Sequence, residues 1–230
     1  MDTPRTNTHA AAPRKRGRPA GSGSAAQTRD KILRAGIACF AERGYAQTSN
    51  RDIAEGAGIT AGSLYHYFDS KAALFEEALR FCTATLLEAY RGACADAAAE
   101  STVEQLCLGL ERVVAVSREW PGMVRFAGHA AAEIRRSVEL HWLEEETARA
   151  FPEFFRTLLH QARARGELAP EIDLEAAADL LLALVAGLSR SPVPDEALAS
   201  FESQVEVFRL LLRGRLFGPP LERPPETPGK

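Results

Sequence analysis

From Thr28 onward, apolar residues return every three or four positions along most of the chain, and no stretch alternates as a half-buried strand would. Ile32, Leu33, Ile37 and Phe40 form the stripe of a first helix over about 28–43, which Gly44 stops. Two very short helices fit at about 50–57 and 61–67, separated by Gly58. A long helix follows from a cap at Asp69 or Ser70, with Leu74, Phe75, Leu79, Cys82 and Leu86 at helical spacing. Ser101-Thr-Val-Glu104 reads as a capping box opening another helix, with Leu106, Leu110, Val113 and Val114 on one face. Trp120-Pro121-Gly122 breaks that helix and starts the next, which runs to about Arg136. Pro152 should kink or split the segment 138–166.

The last two helices are the most apolar. Asp173 can cap one that runs to about Ser189, with Ala177, Leu180, Leu181, Leu184, Val185 and Leu188 spread over nearly all its sides. A helix that is apolar all round needs cover all round. The other, about 195–217, carries Phe201, Val205, Phe208 and Leu212 at steps of 4, 3 and 4, the seam of helices that pack at a shallow angle. We read the two as a pair that meets its own copy in a four-helix bundle, with Ala177, Leu181, Leu184, Leu188, Phe201, Val205, Phe208 and Leu212 at the interface. Packing within a single chain is the alternative that periodicity leaves open.

The ends differ from the middle. Residues 1–26 are rich in Pro, Gly, Ser, Ala and Arg without apolar periodicity and read as a disordered basic arm, and 218–230, "GPPLERPPETPGK", as a Pro-rich tail. The overall charge of −3 hides an asymmetry: the first 80 residues carry +4 and the remaining 150 carry −7. That polarity suggests a nucleic-acid-binding end attached to a body with another task. Neither a long uninterrupted apolar run nor an export signal is apparent, so no membrane partner is predicted and the cytoplasm is the expected location. Cys39, Cys82, Cys94 and Cys107 form no CxxC pair and sit within helical patterns, and the five histidines form no HxxxH or HExxH pair. Buried thiols, no metal and no cofactor are therefore expected.

Residues 50–68 meet the demands of a helix-turn-helix. Ala54 is small where two helices cross, Gly58 can take the positive φ of the turn, and Ile53, Ile59 and Leu64 lie where the motif buries apolar groups. Thr60 can cap the second helix and leave its first amides facing outward. The stretch "GYAQTSNRDIAEGAGITAGSLYHYFDSKAALFEEAL" resembles the DNA-binding domain of the TetR (tetracycline-repressor) family of bacterial transcription regulators, from about Thr28 to Leu79. "LYHYFDSK" is its most specific part. The resemblance implies an all-α fold: a three-helix DNA-binding domain at 27–72 and a larger helical ligand-binding and dimerisation domain at 73–217.

Position by position, the resemblance implies that Asn50 and Arg51 contact phosphate and a guanine edge, and that Ala61, Gly62 and Ser63 lie against bases. It further implies that Tyr65 and His66 meet phosphate or bases, while Tyr67 and Lys71 each meet a phosphate. Ala61 and Gly62 bring almost no hydrogen-bonding capacity, so specificity leans on Arg51, His66, thymine methyls and DNA shape. Upstream, Arg16-Gly17-Arg18-Pro19 resembles an AT-hook core, in which two arginines lie along a narrow A/T-rich minor groove.

In the family the larger body encloses a small-molecule site whose occupancy shifts the separation of two DNA-binding heads. Candidate lining residues are Leu86, Tyr90, Trp120, Met123, Phe126, His129, Trp142, Phe151 and Phe155, a mixture suited to a small apolar or aromatic effector with His129 as polar anchor. The function this implies is a homodimeric repressor released from a near-palindromic, double-stranded operator. A helical enzyme finds no supporting catalytic or phosphate-binding motif, so none is expected. An architectural DNA binder without a sensor, and activation in place of repression, stay open.

Overall fold

The computed structural model describes residues 22–143, 149–188 and 197–217, and these form helices and turns with no strand among them. The basic arm with Arg16 and Arg18, and the Pro-rich tail, lie outside the described residues. Helix α1, Ser22–Gln47, begins within the stretch read as arm, where Ala25 and Ala26 favour helix over coil. Its regular part ends at Gly44, whose φ of 75° and ψ of 170° only glycine adopts readily. Helix α2, Asn50–Ala57, and α3, Ala61–Leu64, follow, and Ser70 caps α4, Lys71–Asp96, by accepting from the Ala73 amide. The third short helix is four residues long and passes into a turn at 65–67 instead of continuing to 67.

Beyond α4 come α5, Thr102–Glu119, and α6, Met123–Arg136, then a 3-10 turn at Val138–Leu143. Helix α7 spans Ala150–Ala164, α8 Leu174–Leu188 and α9 Ala197–Leu212. Pro152 does not kink α7. It sits in the first turn, where its missing N–H costs no intrahelical bond. Ser101 caps α5 as read, but the reciprocal half of the box is absent, because Arg213 grips the Glu104 carboxylate with two hydrogen bonds at 2.7 and 2.9 Å. Asp173 Oδ1 accepts from the amides of Glu175 and Ala176 and so caps α8.

One apolar core runs without a break from the N-terminal helices into the body. Its centre is an aromatic knot in which Phe75 of α4 meets Phe40 of α1 at 5.2 Å and Phe126 of α6 at 5.0 Å, both edge to face. Each such ring contributes about 1.5–3 kcal/mol by burial. A second cluster, Leu106, Phe155, Leu158, Leu159, Leu174 and Ala178, holds α5, α7 and α8 together at the far end. Of the thiols, Cys82 and Cys107 are buried, while Cys39 and Cys94 are only half-buried. No helix of the described residues is long and apolar enough to cross a membrane.

The last helix departs from the seam read in the sequence. Phe201, Val205 and Phe208 are buried inside the chain, and α9 lies along α5, tied by Arg213 to Glu104, Arg209 to Glu111 and Arg118 to Glu202. These three aromatic and aliphatic side chains therefore complete a core and are not on an outward face. Ala177, Leu181, Leu188 and Leu212 are half-buried, and Leu184 is exposed. The apolar surface of this end consists of Leu180 (60% exposed) and Leu184 on α8 with Val207 (49%) and Leu211 (42%) on α9. An open groove of about 400 Å³ runs beside it, lined by Leu188, Gln204, Val207, Phe208 and Leu211 among others.

Candidate nucleic-acid interface

Buried side chains set α2 and α3 on the helices behind them. Ile53, Ala54, Ala57 and Leu64 are buried, Ile59 is half-buried, and Phe68 closes the core under the Arg29 guanidinium, which lies 4.8 Å from its ring centre. Between α2 and α3 Gly58 takes φ 67°, and its amide and that of Ile59 return to the carbonyls of Glu55 and Ala54. Thr60 caps α3 as read, its Oγ1 accepting from the Ser63 amide at 3.2 Å, and its hydroxyl also pairs with that of Ser63 at 2.8 Å.

The start of α2 carries a device the sequence reading missed. Ser49 Oγ accepts from the Asp52 amide, while the Asp52 carboxylate accepts from the Ser49 amide at 2.9 Å and from its hydroxyl at 2.6 Å. Those Ser49 hydrogen bonds, helped by Arg43 at 3.0 Å, hold the Asp52 carboxyl below the usual carboxylate range. The spacing S-x-x-D at 49–52 was the available signal. Two orphan amides are thereby satisfied without help from DNA.

Around this frame the candidate contacts divide. Arg51, Ala61, Gly62, Tyr65 and His66 are all exposed, Tyr65 by 55%. Arg51 makes no ion pair or hydrogen bond among the described residues. Asn50, Ser63 and Tyr67 are half-buried, and Tyr67 also packs against the core. Asn50 turns toward Tyr65, its Nδ2 donating to the phenol oxygen at 2.7 Å. Lys71 is half-buried too: Nζ donates to the carbonyls of Tyr45 (2.8 Å) and Thr48 (2.9 Å) and lies 4.2 Å from the centre of the Tyr45 ring. Two of its three N–H groups are thus committed, which leaves one for a phosphate. Burial pushes its ammonium below the usual lysine range.

Tyr45 is the residue that sequence reasoning overlooked, although it opens the motif after Gly44. Its amide donates to Glu133 of α6 at 2.9 Å and its hydroxyl to Glu139 of the 3-10 turn at 2.5 Å. Burial first, and then the neighbouring Glu139 carboxylate, pushes the phenol well above its usual range, so it remains a donor. The turn leading into α2 is therefore held from the body side by two carboxylates and from α4 by Lys71.

The nine candidate effector residues do not gather in one place. Tyr90, Phe151 and Phe155 meet, joined by Phe154, which the sequence reading did not name; Tyr90 lies 5.6 Å from Phe154 and 6.1 Å from Phe155 between ring centres. Leu86 is buried one turn earlier on α4, and His129 is half-buried on α6. Phe126 and Met123 are buried, Phe126 in the aromatic knot facing α1. Trp120 sits under the Arg34 guanidinium at 3.6 Å and against Phe81, at the corner where α1 meets α5. Trp142 is 55% exposed and points its N–H at the Glu139 carbonyl, so it lines no interior space.

Residues 32–78 match the model described as bacterial regulatory proteins, tetR family. Over 70 residues the chain is 46% identical to the HTH-type transcriptional repressor KstR2 of Mycobacterium tuberculosis (strain ATCC 25618 / H37Rv), which covers 30% of this chain and 35% of that protein. The match thus spans about a third of the length of that relative. A longer and weaker match, 26% identical over 189 residues, covers 82% of this chain and 93% of the HTH-type transcriptional regulator UidR of Escherichia coli (strain K12). In three dimensions the chain is similar to the ketosteroid transcriptional regulator KstR2 of Mycobacterium tuberculosis, with a TM-score of 0.63 and 25% identity, over 81% of this chain and 93% of that one. A helix-turn-helix capped at both helices and set on a longer all-helical body thus matches bacterial regulatory proteins of the tetR family in sequence across residues 32–78, and a regulator of that kind in shape over most of both chains.

Proposed function

We propose that the chain is a sequence-specific transcriptional repressor, a homodimer that binds a near-palindromic operator and leaves it when a small hydrophobic effector enters the body. The observation that carries the DNA-binding part is the joint exposure of Arg51, Tyr65 and His66 on a helix-turn-helix whose second helix opens with the exposed Ala61 and Gly62. An exposed guanidinium with no partner among the described residues is suited to bidentate pairing with guanine, and Ala61 and Gly62 allow close approach to the groove. A basic arm with Arg16 and Arg18 would add minor-groove and phosphate contacts whose strength falls with salt. Dimerisation draws support from the apolar face of Leu180, Leu184, Val207 and Leu211, since four large exposed hydrophobics on adjacent helices call for cover.

For the effector, support comes from Tyr90. Its hydroxyl is buried among α4, α5 and α7 with no hydrogen-bond partner among the described residues, at a cost of about 1–3 kcal/mol. An apolar molecule bearing one oxygen acceptor would satisfy it, which moves the polar anchor from His129 to Tyr90. The relative named a ketosteroid transcriptional regulator directs the first screen toward such molecules. The test is fluorescence anisotropy with DNA flanking the chain's own gene and with sequences selected from a random pool, across a salt series with nonspecific competitor. Selective binding at a stoichiometry of two chains per symmetric site is expected. Equal affinity for every sequence would overturn the proposal.

A further inference from the structure

We infer that Asn50 is a positioning residue: it fixes the phenol of Tyr65 as a hydrogen-bond donor to DNA and makes no phosphate contact of its own. This rests on the reading of the chain as a DNA-binding regulator. Asn50 stands first in α2 and Tyr65 follows α3, so the bond between Nδ2 and the phenol oxygen at 2.7 Å ties the two helices of the motif across their outer side. The other end of the amide, Oδ1, is buried without a partner among the described residues. Asn50 is half-buried and Tyr65 is 55% exposed, so the phenol, not the amide, reaches outward.

Hydrogen-bond accounting then fixes the polarity. A phenol accepts through its oxygen and donates one proton. With Asn50 donating to that oxygen, the proton is the group left to face solvent, and the incoming bond polarises it into a better donor. Within α3, Ala61 and Gly62 have no donor side chain and the half-buried Ser63 hydroxyl pairs with that of Thr60, so the other exposed donors beside Tyr65 are Arg51 and His66. The matching ligand chemistry is a hydrogen-bond acceptor on DNA: a phosphate oxygen, or N7, O6 or O4 on a base edge. Tyr65 thereby joins Arg51 and His66 as a point of recognition, and Asn50 decides which way its proton points.

A double-variant cycle tests this on the full chain, with the best-bound sequence from the random pool as probe and circular dichroism melts of every variant alongside. Tyr65→Phe keeps the ring and removes only the hydroxyl; Asn50→Ala removes only the amide. Each is expected to weaken binding about tenfold, and the double variant is expected to bind within about twofold of Tyr65→Phe alone. Losses that multiply to about a hundredfold would mean that Asn50 touches DNA independently, and would overturn the inference. An Asn50→Ala loss matched in size in the Tyr65→Phe background, or no loss at all, would do the same. Scanning the probe with methylphosphonates and 7-deazapurines names the acceptor: the substitution that erases the difference between wild type and Tyr65→Phe marks a phosphate or a base, and either supports the donor role. If the wild-type chain selects no sequence, the DNA-binding reading itself falls, an outcome distinct from a working regulator with an additive cycle.

Discussion

Arg51 and Lys71 are both proposed to meet DNA, and their surroundings would give them different work. Arg51 is exposed and has no partner among the described residues, whereas Lys71 is half-buried and binds two carbonyls of the turn before α2. Arg51→Ala should leave the melting temperature unchanged within a degree and relax selection at one base position by about 1–3 kcal/mol. Lys71→Ala should weaken binding to all sequences about equally and also lower the melting temperature, because the Tyr45 and Thr48 carbonyls lose their donor. Anisotropy and thermal melts on the two variants separate these outcomes.

Glu167 offers a second residue-scale test. Hydrogen bonds from Thr102, first, and then Arg165 hold its carboxyl down to about 2. A depressed folded pKa means stability that is present above the ordinary carboxylate range and is lost as pH falls toward 2. Because the group is largely exposed, solvent screening keeps the contribution to about 1 kcal/mol or less. Glu167→Gln should therefore melt lower than wild type at pH 7, with the gap closing between pH 4.5 and 2; a gap independent of pH would refute the assignment.

At the scale of elements, the two faces of α9 have opposite duties. Phe201, Val205 and Phe208 fill the chain's own core against α5, and Val207 and Leu211 face out beside Leu180 and Leu184. Leu184→Glu combined with Val207→Glu should halve the mass seen by sedimentation while leaving the helical circular dichroism intact. Phe201→Ala should instead destabilise the fold by about 3–5 kcal/mol through loss of a buried aromatic. A dimer that survives the paired charges would sink this face as the interface. The α1–α2 turn is likewise an element with a defined anchorage, since Glu133 and Glu139 hold Tyr45 from the body and any movement of α6 acts on it directly.

At the scale of the whole molecule, the head and body share one core through Phe40, Phe75 and Phe126. A shared core couples their stabilities. Far-ultraviolet circular dichroism reports on all helices, and the fluorescence of Trp120 reports on the corner where α1 meets α5. The two probes should give coincident melting curves, and Phe75→Ala should lower both together by the amount expected for about 3–5 kcal/mol. An early transition confined to one probe would mean that head and body unfold separately. For a regulator of the proposed kind, this coupling is what allows an effector in the body to bias the heads, provided that it binds their displaced arrangement better.

Local information in the chain was enough for the helices and the motif. Glycines with a positive φ requirement at 44 and 58, hydroxyl caps at Thr60 and Ser70, and apolar spacing of three and four residues act over a few positions, so they can be read without knowing the fold. The outward placing of Arg51, Tyr65 and His66 was implied by the resemblance of the motif and not by that spacing. What only the tertiary structure decided depends on partners far apart in sequence. Periodicity marks an apolar face on α9 but not whether α5 or a second chain covers it, and it cannot tell Trp120 and Phe126, which knit the head to the body, from residues lining a cavity. Nor could it assign Lys71 to Tyr45 and Thr48, Glu104 to Arg213, or Asn50 to Tyr65. Local capping and helical spacing are short-range effects written in neighbouring residues, whereas pairing and burial are set by which surfaces the folded chain brings together.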